Sequence, residues 1–343
     1  MATRPCHRTC SLLLRPHLWK GTPSHSSVAW LYRARSDPPP ALGQTRRYAV
    51  PRAPAPKAAA YSNVFTLAEI PGTSFESVIY RNGNSFRRLS PEQYYECAER
   101  FTEAIKQGSN PWAVSLSGSG ISAEVLHELA CIMRQIRGPR SADAFATAMW
   151  ASASELGYRP STLSLARQLI RSRAYGRTPQ LRKVEARFKQ LVSTSKDPDA
   201  MTAEGELLFE QGRFDVAVAT LQRALRAGSA SFEWKPYCEL CLGKALLKLG
   251  RRREARTVLE ALSEAGLVEA DIELGDMLRA SDGAKAEQHM YAAACSGRLD
   301  MFSHLSEIAL EGAASAPGDG RSTEDGRRWA MEWSRLADIR AEH

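Results

Sequence analysis

No run of about 18 consecutive apolar residues, the length a helix needs to cross a bilayer, occurs in this 343-residue chain. Cysteine is scarce: Cys6 and Cys10 lie near the N-terminus, and Cys97, Cys131, Cys238, Cys241 and Cys295 are too thinly spread to form a disulfide framework. After residue 60 the histidines are His127, His289, His304 and His343. None has a nucleophile or further ligands at telling spacing, so neither a metal, a cofactor nor a catalytic residue is assigned. Cys238-Glu239-Leu240-Cys241 is a lone CxxC without the second pair a zinc site needs or the βαβ setting of a redox motif. It is expected to pack as small apolar side chains. Ser117-Gly118-Ser119-Gly120 lacks the Lys and preceding strand of a phosphate cradle and is expected to be a linker.

Acidic residues are nearly missing from one region. Residues 1–60 hold ten Lys and Arg against Asp37 alone, which leaves 36 basic and 37 acidic residues for the rest, so the basic balance belongs to the leader. An Arg-rich, Ser-rich, acid-poor leader has the composition of a mitochondrial transit peptide, and SLLLRPHLW suits its amphipathic helix. Arg46-Arg47-Tyr48 before Ala49 resembles a fungal-type matrix-processing site, which implies a transit peptide over 1–48 and a mature start near Ala49. A secretory signal does not fit, because an apolar core of adequate length is missing. The expected location is the mitochondrial matrix, with peripheral contact to the inner membrane as an option.

Residues 49–89 read as a Pro/Ala-rich linker followed by a short β-hairpin at about 75–89, where Asn82-Gly83 suits a tight turn. At Ser90 a hydroxyl, then Pro91 and Gln93, announce a helix start. From there apolar residues recur at three and four, as in Leu126, Leu129, Ile132, Met133 and Ile136, with Gly and Pro between segments. This pattern predicts an all-α domain over 90–343, with about a dozen helices of roughly 12 to 18 residues paired as antiparallel hairpins.

Within that domain a unit repeats. Gly205, Leu208, Gly212, Ala217 and Leu221 recur 38 residues on as Gly243, Leu246, Gly250, Ala255 and Leu259, and Ala224 completes the first copy. Small residues are needed where helix backbones approach closely, and Gly reverses the chain at the turn. The pattern resembles tetratricopeptide repeats, clearest over 197–266. Ala286, Tyr291, Ala293 and Ala294, then Ala330, Trp333 and Ala337, resemble Sel1-like units over 267–337. The resemblance implies an α-solenoid that works by holding another macromolecule, without catalysis. Its usual peptide groove, lined by the first helix of each pair, would fall on Glu206, Phe209 and Glu210, then Lys244, Leu247 and Lys248. The asparagines of the family's carboxylate clamp are missing there. Trp329 and Trp333, four apart, are expected to form the solenoid's terminal cap.

A second candidate surface comes from charge. Residues 159–196 hold ten basic residues against Glu185 alone. Arg167 and Arg171 lie four apart on one expected helix and Lys183 and Arg187 on the next, so with Arg173, Arg182 and Lys189 they are expected to form one cationic surface for RNA or anionic inner-membrane lipid. The expected function is an adaptor that binds a protein client in respiratory-complex assembly or mitochondrial gene expression. The alternative is an RNA- or mitoribosome-binding factor acting through this band.

Overall fold

The computed structural model describes residues 64–338 except Ser117, Ser119, residues 229–231 and residues 316–319. The expected transit peptide and processing site, the expected linker as far as residue 63 and half of the Ser117–Gly120 loop lie outside the described residues. Those described form fourteen α-helices, with no strand among them. The helices group into two compact units that divide between Ser193 and Thr194.

The first unit contains α1 (Gly72–Arg81), α2 (Pro91–Lys106), α3 (Ala123–Met133), α4 (Arg140–Glu155), α5 (Arg159–Arg171) and α6 (Arg182–Ser193). Helix α1 stands where a hairpin was expected. Phe75 and Val78, three residues apart, are both buried, which is helical spacing, and Asn82-Gly83 ends the helix instead of turning a ribbon. Gly83 does adopt a positive φ of 53°, while the Asn82 amide donates to Val78 O (2.6 Å) and Gln135 Oε1 (2.7 Å). The start of α2 matches its sequence signature. Ser90 Oγ accepts from the Gln93 N–H and Gln93 Oε1 accepts from the Ser90 N–H, giving a reciprocal capping box. Consecutive helices pack as pairs over a core in which Phe65 meets Phe145 edge-on with ring centroids 5.4 Å apart.

Two polar clusters inside this core are matched by partners. Glu128 accepts from the Tyr94 hydroxyl and from Arg88 Nε (2.9 Å). His127 places Nδ1 2.9 Å from Ser161 Oγ and Nε2 3.6 Å from Cys131 Sγ, and its ring meets Tyr158 edge-on. Full burial lowers the His127 pKa to about 3, so the imidazole is neutral at physiological pH.

The second unit contains α7 (Pro198–Glu210), α8 (Phe214–Ala227), α9 (Lys235–Lys248), α10 (Arg252–Glu264), α11 (Val268–Leu278), α12 (Gly283–Cys295), α13 (Met301–Ser315) and α14 (Gly320–Ala337). They pack as four successive hairpins, α7 with α8 through α13 with α14, and each hairpin packs on the next. This is the layout of an α-solenoid, in which a two-helix unit buries its apolar stripe on neighbouring copies. At the last hairpin Trp333 stacks on Phe302 and on Trp329, with centroids 5.7 Å and 5.4 Å away, and Trp329 remains 57% exposed. The expected cap is therefore an aromatic stack with one indole largely in solvent.

Candidate functional site

The geometry of the second unit follows from the repeat residues. Gly212 and Gly250 end the first helix of their hairpins with φ of 75° and 73°, values that suit glycine. Gly205 and Gly243 lie where the second helix presses a leucine onto the first. A Cβ on Gly205 would sit 2.5 Å from Leu221, and one on Gly243 would sit 2.9 Å from Leu259. Gly275 repeats the arrangement against Met290, at 2.7 Å, so the close approach continues into a third hairpin. Ala217, Ala224 and Ala255 are fully buried where the second helices pack inward. Hairpins one and two are also tied by Asp199, whose Oδ1 accepts from the Trp234 backbone N–H at 3.0 Å.

These contacts set the first helices α7, α9 and α11 side by side, and the groove residues expected from sequence all lie on them. Glu206 is buried, with 7% of its surface exposed. Phe209 is half-buried and meets Phe214 edge-on at 5.3 Å, while Glu210 and Lys248 are exposed and Leu247 is half-buried. Lys244 does not stand alone: its Nζ lies 2.8 Å from Glu273 Oε1 on α11.

The sequence reading missed the residues that extend this face. Glu206, Lys244 and Asp276 each follow a repeat glycine by one residue, and Phe209, Leu247 and Arg279 each follow it by four. Extending the register from Gly275 would have found Asp276 and Arg279. Arg279 bridges to α13, with 2.9 Å to Glu307 and 2.6 Å to Glu311. Partial desolvation by its neighbours raises the Asp276 pKa, with Glu273 adding to the rise and His304, Arg279 and Lys244 opposing it. Burial also raises the Glu239 pKa, against the pull of Lys235.

In the first unit the structure corrects the cationic surface. Arg167 is buried, 4% exposed, because α5 packs against both α4 and α6, so it shares no open face with half-buried Arg171. Lys183 and Arg187 do sit together, but both bind Glu155, at 3.0 Å and 2.5 Å. Burial pushes the Glu155 pKa upward, yet the hydrogen bonds from Arg187 and Lys183 outweigh it and hold it below the usual range. Arg173, Arg182 and Lys189 are exposed.

Cys238 and Cys241 are both buried in α9. The Cys238 thiol donates to Leu221 O at 3.5 Å, and burial raises its pKa to about 12. No described helix is long and apolar enough to cross a membrane.

A tetratricopeptide-repeat family model matches residues 179–232 and 241–303, the stretches that hold α6 to α8 and much of α9 through α12. These segments, about a third of the chain, are similar to tetratricopeptide repeats. The chain is also similar to a Sel1 repeat protein from Oxalobacter formigenes, at 15% identity and a TM-score of 0.42, covering 70% of this chain and 98% of that one. Comparison with curated proteins returns no match. Repeats of this kind commonly build surfaces for other proteins, and here the first helices α7, α9 and α11 lie side by side.

Proposed function

We propose that this protein is a non-catalytic adaptor of the mitochondrial matrix, at most peripheral to the inner membrane, that holds a protein client during respiratory-complex assembly or mitochondrial gene expression. The observation that carries the holding role is the row of first helices, where three successive repeats present Phe209, Leu247 and Arg279 at one register. An array of hairpins gives an extended face suited to an extended or helical segment. The location rests on the leader, where ten basic residues accompany one acid. Proximity labelling from the full-length chain in respiring cells tests both parts. Respiratory or translation components among the labelled matrix proteins are the expected result, and labelling confined to general chaperones, or lying outside the mitochondrion, overturns it.

A second reading, RNA or mitoribosome binding through 159–196, draws on exposed Arg173, Arg182 and Lys189. Glu155 neutralises part of the band at Lys183 and Arg187, which weakens this reading relative to the first.

A further inference from the structure

The charges of the second unit are sorted by helix. Helices α7, α9, α11 and α13, the first of each pair, hold eleven Asp and Glu against three Lys, whereas α8, α10, α12 and α14 hold eight Asp and Glu against ten Lys and Arg. A merely solvated surface would mix its signs on both layers. Three of the first-helix acids, Asp199, Glu206 and Asp271, are buried, and the first-helix cations are too few to offset those that remain. Lys244 is held by Glu273, Lys235 lies 4.0 Å from Glu239, and Arg279 serves both Glu307 and Glu311, whose side chains are 59% and 58% exposed. Glu210 and Asp276 are exposed on the same row of helices. Between them, half-buried Phe209, Leu247 and Ile272 give the face apolar ground.

We propose that the first-helix face of the second unit selects a client segment rich in Lys and Arg with apolar residues between the charges. This inference rests on the client-holding role proposed above and names the chemistry of its client. Complementary charge fits the carboxylate rows, while the aliphatic stems of Lys and Arg and intervening apolar side chains lie on Phe209, Leu247 and Ile272. A phosphate backbone or an anionic lipid headgroup meets repulsion on this face, which turns the choice toward a basic polypeptide. Desolvation already raises the pKa of Asp276 and Glu239, and a cationic partner beside them would favour their charged forms.

The test is fluorescence anisotropy on the full-length chain with three labelled peptides of equal length and equal leucine spacing, whose remaining positions are Lys and Arg, Gln, or Glu. The basic peptide is expected to bind about tenfold tighter than the Gln peptide at low salt, with the advantage shrinking as ionic strength rises. The Glu210→Lys/Asp276→Lys double variant is expected to lose that preference, whereas Glu264→Lys/Glu287→Lys on the second helices keeps it. The salt series on the unmodified chain decides the matter should the first-helix variant not fold. Equal binding of basic and Gln peptides, independent of salt, overturns the charge selection and leaves the client-holding role standing. Binding of no peptide overturns both.

Discussion

The Cβ that Gly205 lacks would meet the Cγ and Cδ2 of Leu221 at 2.5 Å, closer than packed atoms approach. The same relationship recurs at Gly243 with Leu259 and at Gly275 with Met290, and it accounts for glycine in mid-helix, where that residue otherwise costs about 0.5–1 kcal/mol relative to Ala. Alanine substitution therefore sets a helix gain of up to about 1 kcal/mol against an overpacking cost of about 1–3 kcal/mol.

The expected order follows from what each methyl group meets. Gly205→Ala is the most destabilising, by about 1–2 kcal/mol, because two leucine carbons must move. Gly243→Ala is milder, since its contacts begin at 2.9 Å. Gly275→Ala is close to neutral, since Met290 is flexible enough to yield. Urea unfolding of the three variants checks the ranking, and equal losses at all three positions would contradict it.

His127 makes the first unit acid-sensitive. Its folded pKa of about 3 lies below the unfolded value near 6.5, so below pH 6.5 the unfolded chain takes up a proton that the buried imidazole refuses. Stability from this group is complete above pH 6.5 and declines as pH falls toward 3, by about 2 kcal/mol at pH 5. Glu128, whose pKa burial raises, works in the opposite sense, so the comparison with His127→Gln isolates the imidazole. The variant is expected to show a flatter fall in urea midpoint between pH 7 and pH 5, and an unchanged slope would refute the assignment.

The cysteines should separate cleanly by reactivity. Cys295 is exposed, whereas Cys97, Cys131, Cys238 and Cys241 are buried, with the Cys238 thiol raised to about 12. Brief maleimide treatment of the native protein, read by peptide mass spectrometry, is expected to modify Cys295 while sparing Cys97, Cys131, Cys238 and Cys241. Rapid labelling of Cys238 or Cys241 would reopen a thiol-based role for the CxxC pair.

The repeat was legible because glycine and alanine at fixed 38-residue steps leave a trace that backbone approach imposes, and the Ser90 cap was legible because its partners are adjacent in sequence. Asn82-Gly83 misled for a physical reason: a positive φ serves a helix stop as well as a hairpin, and only the burial of Phe75 and Val78 separates the two. Charge alone also misplaced Arg167, since helical spacing gives a face but not what covers it, and α5 is covered on two sides. The acidic partners Glu273, Glu307 and Glu311 were hidden because the hairpins containing them lack the full glycine-alanine signature, although Gly275 keeps the register.

The central claim, that first helices hold the client, is tested most directly by a photo-crosslinking residue at Leu247 on α9, with Thr257 on α10 as control, in isolated mitochondria. Discrete adducts to a respiratory or translation component from position 247, absent from position 257, are the predicted result. Adducts from 257 alone, or equal adducts from both, would contradict it.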